Sequence, residues 1–302
     1  MKDKAPKKVV EGGNVAPVGR WIWTLILSLL VGSIFSGFVV KIIRALPIFA
    51  EGSYLFAEEG LIEGIAGFLG IYLAFWLFLK ALCKTRLRDF FFGKDRKIDV
   101  KKTLIIGGIY AIGFVLSALI NVKYITFECD DILLWLINVV FCLLFLWIQT
   151  TTEEIYFRGL FLRVPFGNDM PVLKKGIICA VVSSLLFMSL HLFNPEFTTR
   201  GGFDAACMAC AYFISGFGMF FANLYSGGLE AGILIHLVNN FLCFTLIRDK
   251  VTVMLTPTLF VNNYSGNNVG LIALLVEIIT NGLVIAYCIY MMKKKETTVE
   301  NN

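Results

Sequence analysis

Apolar residues fall in long unbroken runs along the chain, at about 21–43, 61–83, 103–122, 131–164, 176–194, 203–226, 229–247 and 270–292, with polar or charged stretches between them. A helix needs about 20 mostly apolar residues to cross about 30 Å of hydrocarbon, so the pattern predicts eight membrane helices. A transmembrane β-barrel would alternate polar and apolar positions, whereas a run such as Ile132 to Ile148 is apolar almost throughout. The expected fold is therefore all-α, a polytopic membrane protein of about eight transmembrane helices. The first run, Trp21 to Val40, is long enough to span and reads as a retained helix, not a cleavable signal. The organisation expected is a polar tail at 1–20, one transmembrane domain at 21–292 and a second tail at 293–302.

Composition agrees: 58% hydrophobic and 16% charged residues, with a mean hydropathy of +0.78, exclude an ordinary soluble chain. In this class a net charge of +5 speaks of orientation, not of a nucleic-acid partner. With both termini cytoplasmic, the inner side collects Lys2 to Arg20, the cluster from Lys84 to Lys102, Arg158, Arg163, Lys174, Lys175 and Lys293 to Lys295. The outer side keeps Lys41, Arg44, Lys123, Arg200, Arg248 and Lys250, together with acidic stretches at 51–63 and 128–131. That asymmetry predicts an even number of spans. The stretch 84–102 mixes eight basic residues with Phe90, Phe91 and Phe92, which suits an amphipathic segment on an anionic leaflet or a solvated positive loop. The eight cysteines mostly sit inside apolar runs and imply no disulfide framework; Cys207 and Cys210 form a CxxC without a second pair or a nearby histidine.

Ionisable groups inside apolar segments are costly and mark function by default. The fourth segment holds Glu153, Glu154 and Arg158, the fifth holds His191, and the seventh holds His236 followed by Asn239 and Asn240. Glu63, Glu230 and Glu277 lie nearer segment ends and are weaker candidates. His191 and His236 are the chain's two histidines. Residues four apart share a helix face, so Glu154 can pair with Arg158, and His236 can project beside Asn240. Glu153 points about 100° away from Glu154, which predicts different jobs for the two carboxylates. At about 1.5 Å per residue, Glu153, His191 and His236 lie roughly 18, 24 and 12 Å from the nearest inner turns, so all three fall within the bilayer. Together a carboxylate and a histidine can take a proton from water, while histidine and amide donors can stabilise an oxyanion. Hydrolysis of a peptide bond inside the membrane is a coherent chemistry for this set. One Glu and two His can also ligate Zn²⁺ with a position left for water, although there is no HExxH pair. Intramembrane Glu and His also suit a proton-coupled transporter, but no inverted repeat is recognisable.

The order Glu153-Glu154-Ile-Tyr-Phe-Arg158 (EExxxR), Phe187-Met-Ser-Leu-His191 (FxxxH) and His236-Leu-Val-Asn-Asn240 (HxxxN) resembles the CPBP family of intramembrane glutamic endopeptidases. That family includes CAAX prenyl endopeptidases and bacteriocin-processing or Abi proteins. The resemblance covers about 130–245 and implies a catalytic core there, in an eight-helix fold with a cavity holding the site. It implies that Glu153 and His191 activate water, that His236 and Asn240 form the oxyanion hole, and that Glu154 and Arg158 support the site. It points to a metal-independent site with no cofactor, to a membrane-associated peptide or protein as substrate, and to the bilayer of a bacterial cell as setting. A bacteriocin-immunity or scaffold protein of the same fold is the alternative.

Overall fold

The computed structural model describes residues 17–49, 53, 59–94, 96–163, 172–264, 266 and 268–300. Most of the tail expected at 1–20, and the turn after Arg163, lie outside them.

The chain forms an all-α bundle with one small sheet. Its elements are α1 (Val18–Arg44), α2 (Glu59–Phe78), α3 (Leu87–Phe92), α4 (Val100–Ile120), β1 (Ile125–Phe127), α5 (Ile132–Glu154), α6 (Leu160–Arg163), α7 (Val172–His191), α8 (Pro195–Thr198), α9 (Gly202–Ser226), α10 (Glu230–Thr245), β2 (Ile247–Asp249), β3 (Phe260–Asn262) and α11 (Val269–Glu300). Each expected apolar segment corresponds to one long helix. Seven of the described helices are long and apolar enough to cross a membrane, while α10 has 16 residues. Leucine, isoleucine and phenylalanine side chains such as Leu30, Phe38, Leu104, Leu119 and Leu143 stand exposed on their outer faces. In water this would be ruinous; in hydrocarbon it is what an integral membrane protein requires. No signal in the sequence pointed to the strands, which pair in the order β1-β3-β2 and tie the α4–α5 connection to the stretch between α10 and α11.

Local chemistry sets the boundaries. Asp131 caps α5 by accepting from the amides of Leu133 and Leu134 at 2.9 and 3.0 Å, and Asp99 caps α4 by accepting from Lys102 N at 3.2 Å. Gly227, at φ 73°, ends α9 in the left-handed conformation that glycine adopts without penalty.

The basic and aromatic stretch 84–102 combines exposed basic residues, such as Arg88 and Lys94, with aromatic rings turned into the protein. Phe90 and Phe91 on α3 are buried against Trp21, Phe75, Leu79 and Leu229, inside the protein. Arg163 fixes α3 there by donating to the carbonyls of Phe90 (2.6 Å) and Phe91 (3.0 Å), and Arg96 pairs with Glu230 at the start of α10. Helices α4, α5 and α9 pack around α10, while α11 and α7 flank α9. This surrounds the candidate residues of α10 with protein on several sides.

Candidate active site

Helix α5 delivers the two carboxylates where its winding changes. After Glu154 the chain makes a π turn over Ile155–Gly159 before the short α6, a rare form often found at functional sites. The EExxxR motif straddles that junction. Glu154 and Arg158 are both fully buried, with Arg158 Nη1 donating to Glu154 Oε1 at 2.8 Å. Arg158 also stacks its guanidinium 4.3 Å from the centre of the Phe187 ring. Asn223 of α9 donates to Glu154 Oε2 at 3.0 Å and accepts from the amide of Gly232 at 2.6 Å, which joins α9 to α10 behind the site. A side chain at position 232 would strike that cradle, since a Cβ there would lie 2.6 Å from Glu154 Oε2.

Glu153 has the different surroundings that its 100° offset predicted. It lines a cavity of about 330 Å³ together with His191, His236, Asn240 and Asn239. Gln149, one turn earlier on α5, donates to Glu153 Oε1 at 3.2 Å. His236 bridges the two carboxylates, with Nδ1 3.3 Å from Glu154 Oε1 and Nε2 3.6 Å from Glu153 Oε2. Because Arg158 and Asn223 hold Glu154 as an acceptor, His236 Nδ1 is the proton-bearing nitrogen of that contact. Its Nε2 is then turned toward the cavity. His191 Nδ1 lies 2.7 Å from its own Phe187 carbonyl, and the Phe187 ring stands against both imidazoles, at 4.4 Å from His191 and 6.0 Å from His236.

Thus Glu153, His191, His236 and Asn240 reach one cavity, while Glu154 and Arg158 stand behind it. Among the described residues, His236 is the histidine within ion-pair distance of Glu153, and no group of three His, Cys, Asp or Glu side chains is arranged to hold a metal ion. Cys207 and Cys210 are free thiols, the first buried and the second exposed.

With this geometry in view, residues 133–242 match the family described as "Type II CAAX prenyl endopeptidase Rce1-like". This central segment is thus similar to the CPBP/CAAX protease family. The matched segment begins inside α5 and ends just past Asn240, so it takes in every motif residue above. A curated relative, the uncharacterized protein YyaK of Bacillus subtilis (strain 168), is 31% identical over 114 residues, which are 37% of this chain and 36% of that protein. The chain thus spans about a third of the length of the relative it matches. No solved structure matches it significantly.

Two residues at the site, Gln149 and Asn223, escaped the sequence reading, and a third, Glu277, was ranked low by it. Gln149 carried a usable signal, standing four residues before Glu153 on the same helix face. Asn223 carried none, because an isolated amide in an apolar helix is commonly a packing contact. Glu277, set aside as near a segment end, lines the same cavity from α11.

Proposed function

We propose that this protein is an intramembrane endopeptidase that hydrolyses a peptide bond in a membrane-associated peptide or protein, without a metal or other cofactor. The convergence of Glu153, His191, His236 and Asn240 on one cavity carries this reading. A water held between Glu153 and His191 gives its proton to the Glu153 carboxylate and attacks the carbonyl carbon. Gln149 keeps Glu153 turned to the cavity through its 3.2 Å contact. The oxygen that gains negative charge is met by the Asn240 amide and by His236, which can donate from Nε2 only as an imidazolium, since Nδ1 already faces Glu154. The proton on Glu153 then passes to the leaving amine. Glu154 and Arg158 do not touch substrate here; they hold His236 in its orientation. A bacterial cell membrane fits the relative's source and is the proposed location.

The test is cleavage of a panel of membrane-anchored peptides by purified protein in the presence of a strong chelator. Glu153→Ala and His191→Ala are each expected to lower kcat at least about 100-fold, the scale of a lost acid–base group. Cleavage unchanged by both substitutions overturns the residue roles, and activity restored only by Zn²⁺ overturns the metal-free mechanism. A panel left intact by every form points to a scaffold or immunity protein instead.

A further inference from the structure

The cavity is lined by four carboxylates, Glu153, Glu196, Asp249 and Glu277, and by no lysine or arginine among the described residues. Glu277 is the most constrained of those outside the motifs. Its Oε1 accepts from Tyr110 Oη at 3.0 Å, its Oε2 accepts from Asn281 Nδ2 at 2.6 Å, and Ser215 Oγ stands 3.1 Å from the same Tyr110 hydroxyl. Three helices, α4, α9 and α11, thus hold one carboxylate at the cavity wall, and no cation of the described chain lies within ion-pair distance of it. An ionisable group within a spanning helix that lacks a counter-charge is costly unless function supplies one.

Unpartnered polar atoms line the same cavity. Thr280, 3% exposed and one turn beyond Glu277, has a hydroxyl with no hydrogen-bond partner, and so has the Oε1 acceptor of Gln149, a residue 9% exposed beside Glu153. Buried polar atoms are ordinarily paired, and a bound peptide would supply N–H donors at the Gln149 end and a side chain at the Glu277 end.

We propose that Tyr110, Ser215 and Glu277 form a subsite that receives a lysine or arginine side chain of the substrate near the bond to be cut. Glu277 pairs with the cation, and Tyr110 with Asn281 fixes the carboxylate so that little side-chain freedom is lost on binding. The identity of the ligand as a peptide rests on the endopeptidase reading; the preference for a cation rests on the cavity wall.

Three otherwise identical membrane-anchored peptides, carrying Lys, Ala or Glu at the variable position, are titrated by fluorescence anisotropy against wild type and Glu277→Gln in phosphatidylcholine nanodiscs. Cleavage is followed in parallel. Wild type is expected to prefer the Lys peptide, and Glu277→Gln to weaken that peptide alone by about tenfold or more, the size of a lost contact to a charged group. Tyr110→Phe, which keeps the carboxylate and frees its orientation, is expected to weaken the Lys peptide less and the others not at all; it also serves should Glu277→Gln fail to fold. Equal binding of Lys and Ala peptides by wild type, equal losses for all three in the variants, or no binding of the Lys peptide overturns the subsite. Charge-selective binding without cleavage keeps the subsite and removes the endopeptidase reading.

Discussion

The ion pair between Glu154 and Arg158 holds both charges fully out of solvent, with Asn223 and His236 completing the acceptor sites of the carboxylate. Removing one partner leaves the other charge buried and alone, which typically costs about 3–5 kcal/mol. Arg158→Met is therefore expected to lower stability by about that much in denaturant unfolding. The double variant Glu154→Gln with Arg158→Met, which buries no charge, should regain much of it. A double variant no more stable than Arg158→Met would show that the pair is not the origin of the loss. The residues that sequence reading found at this scale share one physical property: each is ionisable, or one turn from an ionisable group, inside an apolar run. Asn223 escaped because a neutral amide far from any ionisable group costs less to bury and leaves no comparable mark, whereas Gln149, one turn from Glu153, carried a mark that was passed over. Glu277 was ranked low because distance from a segment end is a poor measure of depth when neighbouring helices start at different levels.

At the scale of elements, the sequence announced where the long helices lie because each must be apolar along its length. It could not announce what α3 does, since the same basic and aromatic residues serve a lipid surface or a protein pocket. The structure turns Phe90 into the protein: its ring lies 5.1 Å from Phe75 and 5.6 Å from Trp21, above Gly159 in the π turn of the active-site helix. A Cβ at Gly159 would meet the Phe90 ring at 2.6 Å, so α3 and the turn carrying EExxxR are packed as one unit. Phe90→Ala should then cost about 3–5 kcal/mol, as other large buried aromatic deletions do, and should reduce cleavage by loosening the turn that follows Glu154. An unfolding midpoint unmoved by Phe90→Ala, with weaker attachment to anionic vesicles as its effect, would return α3 to the membrane surface.

At the scale of the molecule, orientation turns on α10, whose 16 residues reach only about 24 Å at the usual rise and fall short of about 30 Å of hydrocarbon. A helix facing lipid would pay for that mismatch, but α10 is packed by α4, α5 and α9, so its neighbours carry the boundary with the bilayer. Its two ends also have different companions: Glu230 meets Arg96 beside α3, whereas β2 directly after α10 pairs with β3 in the small sheet. If α10 crosses, five crossings by α4, α5, α7, α9 and α10 separate exposed Lys94 from exposed Lys250, and the two lie on opposite sides. If α10 dips in and returns, four crossings separate them and they lie on the same side. The positive charge concentrated at 84–102 predicts a cytoplasmic Lys94. Labelling of intact cells with a membrane-impermeant maleimide should therefore modify Lys250→Cys and spare Lys94→Cys, relative to the parent protein with its own thiols. Labelling of both or of neither would mean that α10 does not cross; labelling of Lys94→Cys alone would mean that it crosses in a protein of the reverse orientation.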